Sequence, residues 1–314
     1  MDNFFFSVDI VLPLFVIMAI GYSLSRLRVF TPEFLVVCNK FCFTVLLPLL
    51  LFINISESDF ETAFQPKLIA YGVSTVIVLF LVLCLIVPRG VKNPLQRGVV
   101  IQAIFRTNCL LFGTTLCINI YGSEGGAVAS VLIAFIVPLF NALAVVALAF
   151  YTAGDKKVEW KQTLLKVITN PLILGAAAGM VFVAFGWKLP QVVRQPLNDI
   201  ARMATPMATL VLGGDFQFRR VAGKLRIIML TTLCRLVAVP AVALVLAALL
   251  GFRGPAFAAL LAVFGSPISV SSYVMAKNAE ADSELAGQLI VFTTCFSLIT
   301  VFALVYYSRV LGLI

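Results

Sequence analysis

The chain contains no histidine, and only 12% of its 314 residues are charged, with Asp and Glu together numbering 14. These shortages close several routes. Its seven cysteines, Cys38, Cys42, Cys84, Cys109, Cys117, Cys234 and Cys295, stand singly. Without His or a CxxC pair they suggest neither a zinc site nor a disulfide framework. An Asp-rich pair that could hold Mg²⁺ with a lipid pyrophosphate is missing, as are a nucleophile elbow and a phosphate loop, so neither catalysis nor a cofactor is expected. No hydrophilic stretch is long enough for a soluble domain. The longest, "AGDKKVEWKQ", covers residues 153–162.

What remains is apolar. Hydrophobic residues make up 61% of the chain and the mean hydropathy is +1.08, against roughly 45–50% apolar and 25% charged in soluble domains. The apolar runs are about 20 residues long without period-2 alternation, which predicts an all-α polytopic membrane protein: inside hydrocarbon only helices or closed barrels satisfy the backbone. Turn and charge punctuation places ten candidate spans at about 8–26, 34–56, 67–88, 95–121, 125–151, 163–186, 192–214, 223–250, 254–278 and 285–309. The first run continues through Gly21 into "SRLRVF" without a small-residue cleavage pattern, so it is read as a span rather than a removable signal.

The net charge of +9 falls in short clusters between spans, a topology signal rather than a nucleic-acid footprint. Connections 1–2, 3–4, 5–6, 7–8 and 9–10 carry fourteen Lys and Arg, the opposite side five. The positive-inside rule then makes the odd connections cytoplasmic and sends both termini outward. Residues 153–162 form a cytoplasmic linker that divides the chain into 1–152 and 163–314, five spans each. The halves echo at an offset of 158, pairing Pro13 with Pro171, Gly21 with Gly179, Pro48 with Pro206 and Asn108 with Ser266. An odd number of spans per half makes this 5+5 repeat inverted.

Spans 4 and 9 are poor continuous helices. Span 4 carries Arg106, Thr107 and Asn108 in mid-run, and span 9 reads "VFGSPISVSSY", with Gly265, Ser266, Pro267, Ile268 and Ser269. Proline removes a backbone donor and clashes one turn back. Unwound backbone in a bilayer is tolerated only where it lines a cavity or is buried in protein, and interruptions at matched places in two halves point to a midplane binding site. Singly, such residues also serve as kinks and packing faces. Pro48 and Pro206 likewise interrupt spans 2 and 7.

Four cations lie within spans: Lys40, Arg106, Arg202 and Arg235. Lys40 and Arg202 are near enough to span ends to snorkel, whereas Arg106 should face a cavity or partner. No carboxylate sits midway along a span, so the cavity suits an anion, helped by half-helix N-termini.

Residues 12–56, including "RVFTPEF" and "CNKFCFTVLLPLLLF", resemble the opening of the auxin efflux carrier family, in which a span ends in an "FTP" turn and the next carries "N[KR]F" before "PLL". "RTNCLLFGTTLCINIYG" is similar to the family's fourth span and "SPISVSSYVMAKNAEADSELAG" to its ninth. The resemblance covers nearly the whole chain and is closer to bacterial members, malonate-transporter-like permeases among them, than to plant ones, whose long central loop is missing. It implies ten helices in an inverted five-helix repeat with crossing helices 4 and 9, a sodium/bile-acid-symporter-like or NhaA-like fold. It also implies a crossover Asn at Asn108, a crossover Pro at Pro267, and an "N[KR]F" pair at Asn39 and Lys40. Thr107 and Thr115 stand where relatives often have Pro, which implies a milder break in span 4.

The reading is a secondary transporter of small organic anions, such as mono- or dicarboxylates, in a bacterial inner membrane, directed toward efflux. Arg106, Thr107, Asn108, Ser266, Pro267, Ile268 and Ser269 form the expected crossover floor. Arg106 and Lys40 are expected to supply its positive charge, with Asn39 beside Lys40, and Asn141 is a further candidate on span 5. The expected partners are the anion and the lipid bilayer, with a homodimer allowed. The alternative is a non-transporting membrane ligand sensor using the same cavity, against which the missing signalling domain counts.

Overall fold

Several helices start at a polar cap followed by proline. Thr31, Asn93 and Asn170 each accept an amide proton from the first turn, at 3.2, 3.0 and 2.9 Å, and Pro32, Pro94 and Pro171 follow them. The cap satisfies an orphan donor, and proline needs none at that position. The "FTP" turn is thus a helix start.

The computed structural model describes residues 2–57, 64–152, 165, 168–216 and 222–314. The 153–162 linker, the basic residues Lys156, Lys157, Lys161, Lys166, Arg219 and Arg220, and the start of the span expected from 163 lie outside the described residues. In chain order the helices are α1 (Asp2–Arg26), α2 (Pro32–Phe41), α3 (Leu47–Ser56), α4 (Pro66–Gly90), α5 (Pro94–Phe105), α6 (Cys109–Thr152), α7 (Pro171–Ala184), α8 (Gln191–Arg202), α9 (Ala204–Asp215), α10 (Leu225–Leu233), α11 (Val239–Leu249), α12 (Gly254–Gly265), α13 (Ser271–Asn278) and α14 (Ser283–Val310). No strand occurs among the described residues. Helix α6 bends sharply at Gly122, whose φ is +64°, the left-handed region that glycine enters without steric cost.

Five helical stretches are long and apolar enough to cross a bilayer: Pro32–Ser56, Pro66–Gly90, Thr115–Thr152, Leu225–Leu249 and Ser283–Val310. Their outward faces carry Leu81, Leu85, Ile86, Val242, Val245 and Ile299, all exposed, a surface for lipid rather than water.

Proline acts here by widening a turn. One π-turn, Cys42–Leu46, joins α2 to α3 just before Pro48, and another, Cys234–Ala238, joins α10 to α11 just before Pro240. Each lets the chain pass the missing donor without breaking the span. Pro206 is tolerated in the first turn of α9, after a turn at Met203.

The helices sort into two groups. In one, α1 packs along α9 and α3 along α7, with α8 beside α3; in the other, α6 is embraced by α5, α4 and α12, and α14 covers α10 and α13 while its other side packs on α1. Glycine permits the closest approaches in the first group. A Cβ at Gly21 of α1 would collide with the Leu210 carbonyl of α9, and one at Gly179 of α7 would stand 3.0 Å from the Phe52 carbonyl of α3.

Candidate functional site

Two interruptions meet between these groups. Helix α5 ends at Phe105, and Arg106 turns extended, with φ −89° and ψ 136°, before α6 begins at Cys109. Helix α12 ends at Gly265, and Ser266 is extended at φ −69° and ψ 151°, the conformation that a following proline imposes on its predecessor. The first gap is three residues long, 106–108, and the second five, 266–270, so the break without proline is the shorter. Span 4 remains helical through Gly113 and Thr115. The backbone amide of Asn108 donates to the Pro267 carbonyl at 2.8 Å.

Arg106 is buried in this junction. Its Nη2 donates to Asn141 Oδ1 and to Ser271 Oγ, each at 2.7 Å, and its Nη1 points to Met275 Sδ. Ser271 Oγ is also 2.7 Å from Ser269 Oγ. These partners are neutral. Ion pairs among the described residues join Arg194 to Glu57, Lys224 to Asp282 and Glu284, and Lys277 to Asp215; none includes Arg106. A buried guanidinium held only by neutral groups retains its demand for a counter-charge. Asn141 Nδ2, also buried, has no hydrogen-bond partner among the described residues.

Arg106, Thr107, Asn108, Asn141, Ser269 and Ser271 line a cavity of ≈ 60 Å³, closed on the facing side by Leu47 and Leu51 of α3, Leu172 of α7, and Thr205 and Ala208 of α9. It therefore lies between the two helix groups. At about 30 Å³ per water it has room for two waters. A second cavity, of ≈ 700 Å³, shares Leu51, Leu110 and Val137 with the first and extends to Glu57 and Arg202. Arg202 also borders a third, of ≈ 450 Å³, with Arg194, Asn198 and Asp199.

The opposite end of α9 carries an ion pair between the two helix groups. Asp215, at the end of α9, receives Lys277 and the Tyr273 hydroxyl from α13. Asp282 caps α14 through the Leu285 amide at 2.9 Å and receives Gln96 of α5 at 2.9 Å and Lys224 at 2.8 Å. Burial pushes the Asp282 carboxyl up, but Lys224, the Leu285 amide and Gln96 outweigh burial and hold it below the usual carboxylate range.

The remaining candidates take other places. Ser266, Pro267 and Ile268 are part of the junction but do not line the small cavity; Ile268 is buried, and its amide donates to Thr293 Oγ1 at 3.4 Å. Asn39 is buried on α2 away from the cavity, with Oδ1 unpartnered among the described residues. Lys40 beside it is exposed. The junction also contains a residue that sequence reasoning named as an in-span cation but gave no role: Arg235, in the π-turn after α10, is fully buried and donates to four carbonyls of the two breaks. Its depth in an apolar run, equal to that of Arg106, was the available signal.

The profile of the family described as membrane transport protein matches residues 6–305. An uncharacterized transporter of Methanothermobacter thermautotrophicus is 23% identical over 308 residues, spanning 94% of this chain and 96% of that one.

Proposed function

The chain belongs to the membrane transport protein family, that of the auxin efflux carriers, and from that premise we propose that this transporter carries small organic anions, mono- or dicarboxylates, out of a bacterial cell across the inner membrane. The observation that carries the reading is Arg106, a buried cation with neutral partners at the rim of a cavity where two broken helices meet. A carboxylate entering there would supply the missing counter-charge through charge-assisted hydrogen bonds. Asn108, Thr107, Ser269 and the unpartnered Asn141 amide offer further polar contacts.

The proposed architecture is ten spans in an inverted 5+5 repeat, residues 1–152 and 163–314. The glycine contacts support it: Gly21 meets Leu210 and Gly179 meets Phe52, so both members of each contact shift together by 158 residues. The half-helices α5 and α12 are each 12 residues long, as equivalent elements of two repeats should be. With both termini outside, the ≈ 700 Å³ cavity opens outward and the Asp215–Lys277 tie closes the cytoplasmic end. Rocking of one helix group against the other would open the tied end and expose the site inward. An inside-negative potential favours export of an anion by about 2.3 kcal/mol per charge per 100 mV.

Counterflow in proteoliposomes tests the proposal, with a panel of mono- and dicarboxylates under separately imposed sodium, proton and voltage gradients. Flux of at least one carboxylate is expected. Binding without flux under every gradient would replace this reading with a ligand sensor.

A further inference from the structure

Where a spanning helix is broken at mid-membrane, its two new ends differ in sign. The resuming N-termini are positive, and the terminating C-termini expose carbonyls that concentrate negative potential. In transporters with discontinuous helices such carbonyl ends and unwound backbone coordinate a coupling cation, while the N-termini face an anionic substrate. Here the C-terminal ends are those of α5 and α12. Arg235 meets both: its Nη1 donates to the Ile104 carbonyl at 3.0 Å, its Nη2 to Phe264 at 2.7 Å, Ser266 at 2.8 Å and Val263 at 3.4 Å, and its Nε to Ser266 at 3.2 Å. Every hydrogen bond that the structure gives this side chain ends on a carbonyl, and it takes part in no ion pair among the described residues.

We infer that Arg235 is a resident cation, a positioning residue that occupies the carbonyl cage of the crossover in place of a coupling sodium ion, so that the anion cycle runs without sodium. This rests on the transporter reading above. The planar fork makes the substitution geometrically feasible, because a guanidinium presents five donors and bridges carbonyls of two helix ends at once. It also separates the two arginines by task. Arg235 satisfies the negative ends and stays out of the cavity lining, which leaves Arg106 and the N-termini of α6 and α13 to the anion.

The test uses the purified full chain and its Arg235→Lys and Arg235→Gln variants. Melting temperatures are compared in sodium, potassium and choline chloride of equal ionic strength. The wild type is expected to melt at one temperature in all three, and Arg235→Lys to show no sodium response. Arg235→Gln is expected to melt lower in choline and to recover several degrees in sodium alone. Sodium-specific stabilisation of the wild type would overturn the inference, as would a folded Arg235→Gln variant indifferent to sodium. If that variant gives no folded protein, isotopic sodium binding to the wild type decides, stoichiometric binding overturning the proposal and its absence supporting it. Melting and sodium binding are read without transport. A chain that moves no carboxylate but passes these tests therefore sinks the transporter reading alone, and one that moves malonate only with sodium sinks this inference alone.

Discussion

The backbone amide of Asn108 donates to the Pro267 carbonyl across 2.8 Å, so residues 159 positions apart in the chain hold one another's broken helix. Each break supplies a group that the other has left without a helical partner. The junction can then stay unwound in an apolar setting where a lone unsatisfied amide or carbonyl would cost free energy. Arg106, Thr107, Asn108 and Ser269 thereby line the cavity instead of a continuous helix face.

Arg106 faces that cavity, and its removal should weaken the anion site. Arg106→Ala is expected to lose carboxylate flux while the protein still inserts. A hydrogen bond to a charged group contributes roughly 1.5–3 kcal/mol, which places the loss of affinity between about tenfold and a hundredfold. Asn108→Ala should also abolish flux with the protein still inserted. Counterflow at several substrate concentrations reads both. Wild-type flux in the pair would remove them from the site.

Asn141 gives a sharper discrimination. Its Oδ1 already sits 2.7 Å from Arg106, so Asn141→Asp places a tethered carboxylate where the substrate's is proposed to bind. The expected outcome is loss of flux together with a melting temperature equal to or above that of the wild type, because the buried cation gains a permanent counter-ion. If Arg106 were only structural, the added charge should leave transport unchanged.

Much of this was legible because apolar run length, proline position and buried charge each carry a physical cost that sequence displays. Spans 4 and 9 were read as interrupted, and both break where the polar triplet and the Ser-Pro pair stand. Pro48 and Pro206, both expected to interrupt their spans, differ: span 2 passes Pro48 through a π-turn, whereas span 7 turns at Met203 just before Pro206. A proline within a span fits either a break or a π-turn, and neighbouring packing decides between them. Lys40 and Asn39 are adjacent in sequence, yet one is exposed and the other buried, since facing depends on helix phase against a partner that a single chain does not reveal. The role of Arg235 was hidden for another reason: its partners are backbone carbonyls, and carbonyls leave no mark in composition.

The glycine seams predict a packing defect. Gly21→Val would drive a branched side chain into the Leu210 carbonyl, and Gly179→Val into Phe52 and Ile55. Overpacking of this kind costs typically about 1–3 kcal/mol. Both variants should melt below the wild type, Gly21→Val further, because its clash is with backbone and is the tighter of the two. Gly223→Val, with open space around it, is the control expected to melt unchanged.

Asp282 predicts an acid-side dependence. Its carboxyl is held below the ordinary value in the folded chain, so the stabilisation is fully present above the unfolded value of about 3.9 and is lost as pH falls through the folded value. The difference in melting temperature between the wild type and Asp282→Asn should be constant near neutrality and should shrink only below about pH 4. A difference that vanished between pH 5 and 8 would mean that another group controls this end.

The tie between Asp215 and Lys277 predicts a shift of state. Both side chains are partly exposed, at 31% and 23%, and such pairs contribute on the order of 1 kcal/mol or less, about fivefold in a two-state population. Asp215→Asn removes the charge and weakens the contact with Tyr273 as well, so the inward-open population should rise by up to that factor without a new fold. The reporter is Ser269→Cys, beside the small cavity, labelled by a membrane-impermeant thiol reagent from each side and compared with the same background lacking that cysteine. Labelling from the tied end should increase when Asp215→Asn is added, and labelling from the Glu57 end should fall by the same absolute share of the population. Because one equilibrium governs both rates, a rise at one end without a fall at the other would indicate local fraying of α13 and not rocking of the helix groups.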